Sequence, residues 1–224
     1  MRRKIGILIA VFGVALLLST VFLNNIVGFS SNRALSQFEK MDREDLGLKN
    51  KLYEYNFKDI EEISPSKTYL ALEERDYEDI IGQLVIPSVD INVALFEGIS
   101  KEKLWKGVST MKENQVMGQG NYSIAGHYGI NDELFYNLAD LEIGEEIRLT
   151  DKDKIYVYRV VERLLVDPSE TYMIGDSRAD GRNAIISLMS CYYEDGKNTG
   201  KRLFVVGELE KTQNYSKKMM MQTN

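Results

Sequence analysis

Ile185-Ile186-Ser187-Leu188-Met189-Ser190-Cys191 is a β-rich run that ends on the only cysteine of the chain. Side chains alternate between the two faces of a strand, so Ile186 and Leu188 belong to one face and Met189 and Cys191 to the other. Ser123-Ile124-Ala125-Gly126-His127 reads the same way and ends on the only histidine. There Ile124 faces a core, while Ala125 and His127 share the opposite side. Two strands therefore each bury one face and carry a chemically unusual residue at the end of the other.

Working outward, Asp195-Gly196 and Thr199-Gly200 are turn dipeptides. They join the Cys191 strand to Lys201-Arg202-Leu203-Phe204-Val205-Val206-Gly207-Glu208-Leu209 as an antiparallel neighbour. That hairpin returns Arg202 to Cys191, where a permanent cation favours a thiolate and stabilises an oxyanion. The remaining strand-like runs are Ile80–Ile86, Ile91–Phe96, Tyr122–Gly126, Glu146–Leu149 and Ile155–Val166, with short helical pieces near Lys101–Trp105 and Asp132–Leu138. Many short strands with few helices predict an all-β-dominated, closed or nearly closed barrel.

Upstream the pattern changes. Ile5 to Leu23 is an apolar run whose only polar members are Ser19 and Thr20, long enough to cross a bilayer. Val21-Phe22-Leu23-Asn24-Asn25 has no small-residue cleavage pattern, so the run reads as an uncleaved signal anchor. Arg2, Arg3 and Lys4 precede it, which predicts a cytoplasmic N-terminus and a single-pass protein with everything else outside the cell. The organisation expected is a basic cluster over 1–4, a transmembrane anchor over 5–29, a partly helical linker over 30–79, a barrel over 80–212 and a flexible tail over 213–224. In the linker, Leu46, Leu48, Leu52 and Ile60 stand in loose helical spacing.

Composition narrows the chemistry. One thiol permits no intrachain disulfide, and one thiol with one imidazole excludes the common zinc sites built from Cys and His. Acidic residues outnumber basic ones 34 to 28, and three of the bases precede the anchor, so general nucleic-acid binding is not expected. Gly118-Gln119-Gly120 lacks the third glycine of a dinucleotide fingerprint. On the residues alone, three readings stay open: a membrane-anchored cysteine acyltransferase, an extracellular cysteine protease using the same Cys-His pair, and a noncatalytic β module on a stalk.

The Ser-Ile-Ala-Gly-His, Ser-Leu-Met-Ser-Cys and Thr199-Gly200-Lys201-Arg202 segments, with Val206-Gly207-Glu208-Leu209 following, resemble the class A (housekeeping) sortases of Gram-positive bacteria. The similarity runs from about Ile81 to Leu209 and includes Gly107-Val108-Ser109 and Val166-Asp167-Pro168. The resemblance implies an eight-stranded sortase-type barrel and transpeptidation of surface proteins that carry a Leu-Pro-x-Thr-Gly signal, joined to a peptidoglycan precursor amine. It implies Cys191 as nucleophile, His127 as acid and base, and Arg202 as oxyanion and backbone partner. It further assigns Ala125, Met173, Ile174, Met189 and Ser190 to substrate binding. Ser187 and Ser190 stand where the family usually has threonine. Some class A members bind calcium before the histidine strand, but the corresponding positions are Lys112, Gln115 and Gln119, a poor set for a hard cation. No calcium requirement and no other cofactor are expected.

Overall fold

The computed structural model describes residues 5–7, 13–14, 27–47, 53–55, 77–129 and 132–222. Eight strands close into a barrel: β1 Ile80–Ile86, β2 Ile91–Phe96, β3 Val108–Thr110, β4 Asn121–Ala125, β5 Glu146–Thr150, β6 Lys154–Val166, β7 Ile185–Glu194 and β8 Lys197–Asn214. Around the ring their order is β1-β2-β3-β4-β7-β8-β6-β5. The β2/β3 and β4/β7 joints are parallel, and all the others are antiparallel.

Alternation does what the sequence predicts. Ile124, Ile186, Leu188, Leu203 and Val205 are buried in the barrel core. Burying each such side chain stabilises the fold by about 1.5–3 kcal/mol. Their sequence neighbours Ala125, Met189 and Phe204 belong to clusters on the opposite, outer face.

Three boundaries depart from expectation. The three-residue β3 is too short to show a period, and it reaches its place through the helix Lys101–Leu104, which Ser100 caps by accepting from Lys103 N. The expected Asp132–Leu138 helix is instead a 3-10 turn over Tyr136–Asp140. The β7–β8 connection is not an open loop: Glu194 pairs with Lys197 around the Asp195-Gly196 turn, so the strands stay paired past Cys191, with a register shift between Cys191 and Tyr193.

The tail expected to be flexible from Gln213 carries regular structure in its described part, through Gln222. β8 runs to Asn214, and a helix over Lys217–Met221 follows. Its Met220 is fully buried against Val85, Ile155 and Val157. Arg148 explains the docking, because its Nη1 donates to the carbonyls of Met219 at 3.0 Å, Met220 at 3.2 Å and Gln222 at 2.5 Å. A cation at a helix C-terminus meets carbonyls that have no partner within the helix.

The expected linker also begins on the barrel. A helix over 27–40 lays Ala34 and Phe38, one turn apart, on Ile80, Ala94 and Phe96 outside β1 and β2. Its first turn joins the main core through Val27, so the boundary expected at residue 29 falls inside this helix. Most of the Ile5–Leu23 run lies outside the described residues, as do Leu48, Leu52 and Ile60. Among the described residues no helix is long and apolar enough to cross a membrane.

Candidate active site

The parallel β4/β7 joint positions the two unique residues. Its register pairs Ser123 with Ser187, Ile124 with Leu188 and Ala125 with Met189, and Gly126 N then donates to Met189 O at 3.0 Å. His127 and Cys191 are each two residues beyond the Ala125/Met189 pair, so the parallel register delivers them to the same end of the barrel. Across the next joint Cys191 pairs directly with Arg202. The three residues thus meet at one end of three adjacent strands, Cys191 in β7, Arg202 in β8 and His127 two residues past the end of β4.

Gly126 makes this approach possible. A Cβ there would stand 2.5 Å from the ring of Phe135, a fully buried core residue. Phe135 N donates to His127 O at 3.1 Å, which fixes the backbone just where the imidazole leaves the strand. The Ser187 hydroxyl donates to Asn121 Oδ1 at 2.8 Å. Asn121 Nδ2 in turn donates to the carbonyls of Met173 and Gly175. This buried chain of bonds ties the start of β4 to β7 and to the β6–β7 connection.

His127, Cys191 and Arg202 all line one cavity of about 420 Å³. His127 is only 5% exposed, and its ring meets Trp105 edge-on with centroids 6.5 Å apart. Its Nε2 is buried and makes no hydrogen bond among the described residues. Burial pushes the imidazole down from its usual 6.5 to about 4, so it rests neutral at pH 7. Arg202 is half-buried; its Nη1 donates to Lys201 O at 3.4 Å, and among the described residues it forms no ion pair. A thiol, a neutral base and an uncommitted cation around one apolar-walled space can carry out acyl transfer.

Of the residues the sequence assigned to substrate binding, Ala125, Ile174 and Met189 line the cavity. Met173 and Ser190 do not. Met173 is fully buried against Ile185, Phe204 and Val206, because the 3-10 turn Thr171–Ile174 points it inward and its neighbour Ile174 outward. Ser190 lies between Met189 and Cys191, so alternation turns it into the barrel, where it is 2% exposed and its hydroxyl donates to Cys191 O at 3.0 Å. The sequence reading missed Leu104, Met111 and Phe204 as walls and Asp167, Glu170, Thr171 and Asn198 as polar members. Phe204 was reachable, being two residues from Arg202 on the same face and paired with Met189. Leu104 ends the short helix and Asn198 opens β8 just past the turn, while Met111, Asp167, Glu170 and Thr171 sit on connections whose path no periodicity reveals.

Before β4, Lys112 Nζ lies 2.5 Å from Asp176 Oδ1, and the same oxygen accepts from Asn121 N at 3.0 Å. Gln115 is spent on Ser123, donating to its carbonyl at 3.0 Å and accepting from its N–H at 2.6 Å. Lys112, one of the three positions, is thus already paired with a carboxylate.

Comparison with known proteins agrees with this geometry. The profile of the Sortase domain family matches residues 84–210. Sortase A of Listeria monocytogenes is 32% identical over 222 residues, covering 98% of this chain and 96% of that protein. Sortase A of Streptococcus agalactiae is 32% identical over 223 residues, covering 96% of this chain and 87% of that one. Among solved structures, sortase A of Listeria monocytogenes superimposes with a TM-score of 0.57 at 34% identity, over 65% of this chain and 99% of that one. Sortase E1 of Streptomyces coelicolor, with a tripeptide in its active site, gives 0.54 at 28% identity, over 61% and 91%. A barrel with these strand joints, a Cys-His-Arg cluster at one end and relatives of this extent mean that the chain belongs to the sortase family, among the class A cysteine transpeptidases.

Proposed function

We propose that the cavity binds a Leu-Pro-x-Thr-Gly signal, cleaves it between Thr and Gly, and joins the Thr carbonyl to an amine of a peptidoglycan precursor. The observation that supports this most is the convergence of Cys191, His127 and Arg202 on an apolar-walled cavity. In this reading His127 takes the thiol proton as Cys191 Sγ attacks the Thr carbonyl carbon, and Arg202 stabilises the oxyanion. The C–N bond then breaks, and the imidazolium gives its proton to the departing Gly amine. An incoming amine attacks the thioester, His127 removes its proton, the C–S bond breaks, and the imidazolium returns that proton to the Cys191 sulfur. Ala125, Ile174 and Met189 suit the apolar Leu-Pro end of such a peptide.

The Ile5–Leu23 run would anchor the enzyme in the cell membrane with the barrel outside. The Lys112–Asp176 pair supports activity without calcium, since an ammonium already supplies the positive charge.

The test is product analysis with a Leu-Pro-x-Thr-Gly peptide, with and without added amine. Transfer product that grows at the expense of the hydrolysed acid supports the transpeptidase. Hydrolysis indifferent to amine would favour a protease. Acyl transfer retained in Cys191→Ala would remove both.

A further inference from the structure

Three linker residues, 53–55, lie on the barrel well before β1. Tyr55 forms an isolated parallel bridge with Ile99, and Ile99 N donates to Glu54 O at 2.8 Å. The ammonium of Lys103 stands 5.0 Å from the centre of the Tyr53 ring. The Tyr55 hydroxyl donates to Glu97 Oε1 at 2.5 Å, and Thr110 Oγ1 donates to the same oxygen at 3.1 Å. Thr110 Oγ1 also accepts from Gly98 N at 2.8 Å. The segment is therefore pinned by backbone, cation–π and side-chain contacts together.

What Tyr55 packs against is informative. Its ring covers the cluster of Ile99, Leu104, Met111 and Ala125. Leu104, Met111 and Ala125 are walls of the catalytic cavity. Tyr55 stands behind these walls and is not itself among the cavity-lining residues, and the cavity is open with the segment in place.

We infer that Tyr55 is a specificity-determining positioning residue, a linker side chain that backs Leu104 and Met111 so that the groove fits the apolar end of the sorting signal. This rests on the reading of the cavity as the sorting-signal groove. The linker then does more than tether the barrel, since it completes one wall of the site. Packed walls keep their rotamers only while the space behind them is filled. Leu104 and Met111 are long, unbranched at Cβ, and able to swing into a void at that position. The hydroxyl adds direction, because the bond to Glu97 fixes how far the ring leans over the cluster.

The experiment uses the full chain in detergent and a Leu-Pro-x-Thr-Gly peptide, alongside peptides with Ala or Val in place of Leu. Tyr55→Ala should raise KM for the Leu peptide about tenfold with kcat within about twofold, and should compress the preference for Leu. Tyr55→Phe keeps the ring and loses only the bond to Glu97, so KM should rise roughly threefold with the fold intact. Phe38→Ala, which removes packing from the 27–40 helix away from the cavity, should lower stability and leave KM and the Leu preference unchanged. A purely structural role for Tyr55 would reduce turnover of all peptides in proportion to the folded fraction, and that result overturns the inference. So does unchanged KM in both Tyr55 variants of an active enzyme, or a higher kcat/KM in Tyr55→Ala, which would make the segment a plug. Failure of the unsubstituted chain to cleave the Leu peptide at all would instead remove the functional reading, and this inference with it.

Discussion

Acidification should cost this protein stability through one identifiable residue. His127 is buried, and burial alone holds its imidazole at about 4 against an ordinary 6.5. Between these values the unfolded chain binds a proton that the folded chain refuses, so stability is complete above pH 6.5 and declines as pH falls toward 4. Integrating from pH 7.5 to pH 4.5 gives a loss of about 2–3 kcal/mol from this residue. Asp176, held low by its hydrogen bond to Lys112, also weakens the fold on acidification, so the total loss is not diagnostic. The difference from a His127→Gln protein is diagnostic, because every other group cancels. Urea unfolding of both proteins at the two pH values should show the unsubstituted chain losing about 2–3 kcal/mol more than the variant. Equal losses, within about 0.5 kcal/mol, would mean that the imidazole charges freely in the folded state. The picture of a neutral base sharing the thiol's cavity would then be wrong.

Arg202→Ala should reduce kcat by about 10²–10³, as removal of an oxyanion donor does, with the urea midpoint nearly unmoved because the side chain is half-exposed. Chelator-treated enzyme should gain less than about twofold in activity when calcium is added, since Lys112 already pairs with Asp176; a clear rise would refute this. Arg148→Met should destabilise the fold by about 3 kcal/mol, by removing its bonds to Glu146 and to the tail carbonyls, and limited proteolysis should then cut after Asn214. Gly126→Ala should cost about 1–3 kcal/mol, because the new methyl meets the Phe135 ring, and should lower kcat by displacing His127; unchanged kinetics would show that the ring can move aside.

Much of the catalytic end was legible because strand alternation is local. Ile80–Ile86 and Ile91–Phe96 have the predicted bounds, and the outward placing of Met189 and Cys191 follows from counting by two. The hairpin that returns Arg202 to Cys191 was legible from the turn dipeptide at 195–196. What escaped was set by packing at a distance. The tail helix is five residues long and owes its order to Arg148, some seventy residues earlier. Met173 and Ile174 look equivalent in sequence, and only the 3-10 turn decides which one faces the cavity. Lys112 reads as a poor metal ligand, but its partner Asp176 lies on a connection that no pattern joins to it.

The division of labour along β7 explains why a site this small can be exact in position without an intrachain disulfide to hold it. Ile186 and Leu188 fill the barrel core while Met189 and Cys191 face the cavity, so the nucleophile cannot shift by one residue without turning the core side chains outward. The same constraint acts on β8, where Leu203 and Val205 point in and Arg202 and Phe204 point out. It acts on β4, where Ile124 anchors the strand that leads into His127. Each of the three reactive side chains is therefore held in register by a neighbour buried in one shared core. Changes to those neighbours should misplace the chemistry before they unfold the barrel: Leu188→Ala should lower kcat by more than its loss of folded protein accounts for.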